Sequence, residues 1–136
     1  MKHKKRIVVV MLAVALAVGA FFYFQTPKLE SEKTSQLTIA SLPSPPQQKT
    51  ITKPEDIQKF VNYFNDLRLY PRLSISVPVG ASVWIKTYGE LYTHQITITG
   101  SIVQFDYRTY QANHDIAAEL REMYQSFDYP KTRKTD

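Results

Sequence analysis

His3, His94 and His114 are the only histidines in this chain of 136 residues. Imidazole is a common metal ligand and the usual general base near neutral pH. His3 lies among N-terminal lysines, His94 opens a run of alternating residues, and His114 precedes an amphipathic stretch. Together His94, Asp106, His114 and Asp115 would offer nitrogen and oxygen ligands to a metal, but they lack diagnostic zinc-site spacing. A Ser-His-Asp relay has no nucleophile-elbow sequence behind it. There is no cysteine, hence no thiolate nucleophile and no disulfide, and four glycines are scant material for a phosphate-cradling loop. No catalytic residue, cofactor or metal ligand is assigned. A site near His94, Tyr107 and His114, binding a small ligand or hydrolysing one, stands as the alternative reading.

The stronger candidates are aromatic. In ASVWIKTY, residues 81–88, Val83 and Ile85 point one way and Trp84, Lys86 and Tyr88 the other. Thr97 and Thr99 share that second face in the next strand. Aromatic rings beside small polar groups suit partner recognition. Cross-strand packing on a wet sheet face uses the same residue types. The candidate partner-binding set is Trp84, Lys86, Tyr88, Thr97 and Thr99.

The stretch HQITITGSIVQFDY, residues 94–107, positions these side chains. A two-residue Gly-Ser loop with glycine first fits a type II′ turn and pairs Thr99 with Ile102. Counting outward, Ile98 meets Val103, Ile96 meets Phe105, Thr97 meets Gln104 and Gln95 meets Asp106. A one-residue slip would set polar residues against the core. A loop from Gly89 to Tyr92 then aligns Val83 with Ile98 and Ile85 with Ile96. The expected core face is Val83, Ile85, Ile96, Ile98, Val103 and Phe105. Tyr107 and Tyr110 are expected to cover the hairpin's end or to dock the last helix.

Helices must cover that core face. Ile57, Phe60, Val61, Phe64 and Leu67 form one apolar stripe, with Thr52 and Glu55 as a capping box and Pro54 in the first turn. Ile116, Ala117, Leu120, Tyr124 and Phe127 form a second stripe, with Asn113 as the expected cap. Gln36 to Leu42 reads as a first strand with Leu37 and Ile39 inside and Leu42 as a further inward candidate, ended by Pro43, Pro45 and Pro46. Leu73, Ile75 and Val77 suggest an edge strand or extended loop.

The N-terminus is the plainest signal. MKHKKR precedes Ile7–Phe24, a run without charge or proline. As a helix this run is about 27 Å long, close to a hydrocarbon core of about 30 Å. The basic flank favours a cytoplasmic N-terminus, and Phe21 to Phe24 would form an interfacial aromatic belt. The alternative is secretion after cleavage near Val18-Gly19-Ala20. Of seventeen Lys and Arg, four precede the apolar run, which leaves thirteen against twelve Asp and Glu. The clustered charge of a nucleic-acid binder is therefore not evident. The chain divides into a basic tail (1–6), a transmembrane signal-anchor (7–24), a polar tether (25–36), an extracytoplasmic domain (37–129) and a charged tail (130–136).

ITKPEDIQKFVNYF, ITITGSIVQFDYRTY and IAAELREMY, behind a single N-terminal anchor, resemble small uncharacterised extracytoplasmic proteins anchored in the membranes of Gram-positive bacteria. The resemblance covers residues 37–128 and implies a tethered domain without a particular activity. A PepSY-type domain is similar in having a helix and strands, but its glycine and aspartate punctuation is not matched. The expected fold is α+β: an antiparallel sheet of about four strands with two amphipathic helices packed on one face, preceded by one transmembrane helix. The expected role is a non-enzymatic accessory or protein-binding module at the cell membrane, with an envelope or membrane protein as partner.

Overall fold

The computed structural model describes residues 2–41, 47–73 and 82–133. Helix α1 spans Lys2–Phe24, with none of its residues buried. It is long and apolar enough to cross a membrane. A short 3-10 turn, Ser31–Lys33, leads into β1, Thr34–Ser41, and β2, Gln47–Ile51. Helix α2 covers Pro54–Asp66, followed by β3, Leu69–Pro71. A meander follows: β4, Val83–Gly89; β5, Thr93–Thr99; β6, Ile102–Phe105; β7, Arg108–Ala112. Helix α3, Ile116–Ser126, and β8, Thr132–Arg133, complete the chain.

The sheet is antiparallel in the order β3-β7-β6-β5-β4-β1-β2-β8. The α+β class and the apolar N-terminal helix match expectation. The strand number does not: the described residues form eight strands, not about four. The additional ones are short pieces at or near the two sides. Pairing with a neighbour recruits them, with little alternation of their own. Within the expected tether, Leu29 is already buried and β1 begins at Thr34. In the expected charged tail, β8 pairs with β2. Leu42, the three prolines of residues 43–46, and Ile75 and Val77 lie outside the described residues.

The central register is the one derived from the Gly-Ser loop. Ile98 pairs with Val103, Ile96 with Phe105 and Thr97 with Gln104. Val83 pairs with Ile98 and Ile85 with Ile96. Gly100 has φ +59° and Ser101 is not left-handed, as a type II′ turn requires. Leu37, Ile39, Ile51, Val83, Ile85, Ile96, Ile98 and Val103 are each at most 1% exposed. Burying each such side chain stabilises the fold by about 1.5–3 kcal/mol. Ile57, Phe60, Val61 and Phe64 of α2 and Ile116, Ala117, Leu120 and Tyr124 of α3 join the same cluster.

Both helix caps differ from expectation. Lys53 is the α2 N-cap residue and makes no side-chain cap bond; Pro54 opens the helix. The Thr52–Glu55 box therefore does not form, because Thr52 stands one residue too early. Asp115, not Asn113, caps α3, accepting from the Ala117 and Ala118 amides. The Asn113 side-chain oxygen instead meets His114 Nδ1 at 2.6 Å. The Gly100 carbonyl accepts from the Ile116 and Ala117 amides, fastening the hairpin to the start of α3.

A latch joins the two core helices. Tyr63 donates to Glu119 Oε2 at 2.5 Å, and His114 Nε2 lies 2.8 Å from Glu119 Oε1. The Tyr63 hydrogen bond, followed by His114, holds the Glu119 carboxyl below its ordinary value of 4.5. A lowered carboxylate contributes stability in full above about pH 4.5 and loses it as pH falls through the lowered value. Glu119→Gln is therefore expected to cost about 0.5–1 kcal/mol at pH 7, little because the pair is solvent-screened. Urea unfolding of the two chains should show this gap shrinking below pH 4.5.

Candidate functional site

The second sheet face carries the aromatic candidates. Trp84, Lys86 and Tyr88 alternate with buried Val83, Ile85 and Thr87. Trp84 is paired with Thr97, Lys86 with Gln95 and Tyr88 with Thr93. Thr99, paired with Ile102, lies two residues beyond Thr97 on the same face. All five candidates are half-buried. The Lys86 ammonium sits 5.4 Å from the centre of the Tyr88 ring, a cation–π contact. Among the described residues no helix lies over this face. Even so, Thr38 is 4% exposed and Ala40 fully buried there. Ala40 is directly paired with Trp84. The surface around Thr38 and Ala40 is therefore closed to water, with no helix of the described residues above it.

Asp106 was expected on this face, opposite Gln95. It belongs instead to the β6–β7 turn, with φ +52°. That left-handed conformation costs an L-residue about 1–2 kcal/mol. Local bonds offset it: the Asp106 amide donates to the Gln95 carbonyl, and Asp106 Oδ1 accepts from the Gln95 amide. Asp106 Oδ2 lies 2.8 Å from His94 Nδ1. The His94 ring packs 4.9 Å from Phe105 and 6.3 Å from Tyr92, centre to centre. The His94–Asp106 pair thus holds a strained turn shut.

The same histidine lines a cleft of about 340 Å³ between the 3-10 turn and the β4–β5 turn, with Leu29, Lys33, Thr87 and Tyr92. Gly89 makes this close approach feasible: a Cβ there would sit 2.3 Å from the Lys33 carbonyl oxygen. The other members of the expected histidine site lie elsewhere. Tyr107 is fully exposed at the turn tip, and Tyr110, expected as a cover, is a core residue. His114 stands by the Gly100 turn, at the far end of β5 from His94. Six residues of extended chain separate His94 from Gly100, about 20 Å. His94, Tyr107 and His114 therefore do not form one site.

The cleft was not foreseen, because residues 28–35 read as a polar tether. The signal was Leu29, a lone apolar residue between charged neighbours. Its amide and carbonyl are both held by the Asn65 side chain. Comparison with protein-family models, curated proteins and solved structures finds no match.

Proposed function

We propose that this chain is a single-pass membrane-anchored binding module whose domain lies outside the cytoplasm and takes a protein partner on the open sheet face. The observation that carries the proposal is that face itself: Trp84 and Tyr88 flank Lys86 on a central strand, with no helix above them among the described residues. Lys2, Lys4, Lys5 and Arg6, in the first turns of α1, favour a cytoplasmic N-terminus. Half-buried aromatic rings on a rigid strand lose little freedom when covered, which makes them good anchors for an interface.

The test is crosslinking in cells with the full-length chain, beside a Trp84→Ala, Tyr88→Ala double variant and a Glu122→Ala control on exposed α3 surface. The expected result is an envelope or membrane protein captured by wild type and control and lost in the double variant. Equal capture by all three would remove the face from the interaction. A second reading, a small-ligand site, rests on the His94 cleft. It requires that His94→Ala abolish binding of a ligand that Trp84→Ala leaves untouched.

A further inference from the structure

Outside α1, the exposed large hydrophobic residues among those described are Tyr70, Leu73, Leu91, Tyr92 and Tyr107. All but Tyr70 sit at one end of the sheet. In the antiparallel meander, the β4–β5 turn with Leu91 and Tyr92 lies at the same end as the β6–β7 turn with Tyr107. The chain leaving β3 reaches that end too: Pro71 pairs with Tyr110, the Arg72 amide donates to the Thr109 carbonyl, and Leu73 follows. Tyr107 is 100% exposed and Leu73 89%. The opposite rim carries the Gly100 turn and the polar start of α3.

α1 enters at this apolar rim. Arg108 Nη2 donates to the Tyr23 carbonyl at 3.2 Å. Tyr23 also lines a cleft of about 430 Å³ with Arg72, Leu73 and Tyr107. α1 ends at Phe24 and Leu29 is buried in the domain. Five extended residue steps reach at most about 17 Å, so the domain is held close to a bilayer that α1 crosses.

We infer that this rim is a lipid-contact surface: Tyr107, Leu73, Leu91 and Tyr92 enter the headgroup layer, and the domain stands on the membrane by the strand ends nearest α1. The inference rests on α1 being a membrane anchor. Tyrosine is favoured at that depth, where its ring is apolar and its hydroxyl stays wet. Charge contributes little, because Lys28, Lys33, Arg72 and Arg108 are matched on the rim by Glu30, Glu32, Glu90 and Asp106. The contact should therefore not depend on anionic lipid. Standing this way, the sheet holds Tyr88 near the membrane and Trp84 about 13 Å further out, four residues along β4.

The absence of cysteine makes every introduced one a unique label site. The full chain is reconstituted in phosphatidylcholine vesicles with one fluorophore at Tyr107→Cys, Leu91→Cys, Asn113→Cys or Val14→Cys. Asn113 is exposed on the opposite rim, and Val14 lies within α1. Quenching by headgroup-level nitroxide lipids is compared with quenching by aqueous iodide. The expected result is lipid quenching at 107 and 91 several-fold above that at 113, iodide protection in the same order, and deep shielding at 14. Adding phosphatidylglycerol should leave the pattern unchanged. Shielding at 14 with equal behaviour at 107, 91 and 113 would overturn rim docking and leave the anchor standing. Iodide access at 14 would overturn the anchor, and the docking with it.

Discussion

Lys49→Ala is expected to destabilise the domain by about 2–4 kcal/mol, measured by urea unfolding at pH 7. Lys49 is 5% exposed and occupies an inward position of β2, paired with Ile39. Its ammonium donates to the carbonyls of Tyr124 and Phe127 at 2.7 Å each. These carbonyls belong to the C-terminal end of α3, where no intrahelical donor remains and the helix dipole is negative. The ammonium also sits 4.6 Å from the centre of the Tyr124 ring. Alanine would strip the Lys49 donor from the Tyr124 carbonyl, leave the Phe127 carbonyl with only the Tyr129 amide, and open a cavity along the lost stem. Lys49→Met keeps the stem and removes only the donors, so it should retain most of the loss. A pH series reads the ammonium itself. Burial lowers the Lys49 ammonium below its ordinary 10.5. The unfolded chain then holds this proton to higher pH than the folded one, so the group adds stability as pH rises through the window just below 10.5. That rise should be absent from Lys49→Met.

Lys49 also shows why part of the fold was illegible. QQKTI does not read as a strand, because its inward positions are a lysine and a single isoleucine. Only a helix end lying above makes a lysine suitable there, and tertiary contacts of that kind leave no local pattern. RTYQA and LYP are similar: β7 turns Tyr110 and Ala112 inward, and β3 is held at the sheet side by its pairing with β7. The central hairpin was legible because two independent constraints agreed, a glycine fixed by turn geometry and isoleucines at period two. The helix stripes were legible for the same reason of period. Caps were not, since Thr52 and Asn113 satisfy the residue preference but stand one or two positions from the true helix starts. The sheet side that carries Trp84, Lys86, Tyr88, Thr97 and Thr99 was legible because it follows from the register. The His94 partner was not, because Asp106 leaves the ladder one residue before the count expected.

A Val14→Arg, Leu16→Arg double variant is expected to abolish stable membrane insertion. Each arginine near the centre of a spanning helix costs about 2.5–3.5 kcal/mol on an insertion scale. Two together cost about 5–7 kcal/mol, at least three orders of magnitude in the insertion equilibrium. One arginine can reach an interface with its long stem; two, on different sides of the helix and both near its middle, leave no comfortable depth. In cells, the wild-type chain should stay with membranes through alkaline carbonate extraction and the double variant should not. The mass of the extracted wild-type protein separates anchor from signal: a retained α1 gives 15.7 kDa. Cleavage after Ala20 would give a shorter chain beginning at Phe21. In that chain Tyr23 would still meet Arg108, and the apolar rim would have no bilayer beneath it. An intact mass together with loss of insertion in the double variant would show that α1 tethers to the membrane the one domain that carries the rim, the His94 cleft and the aromatic sheet face.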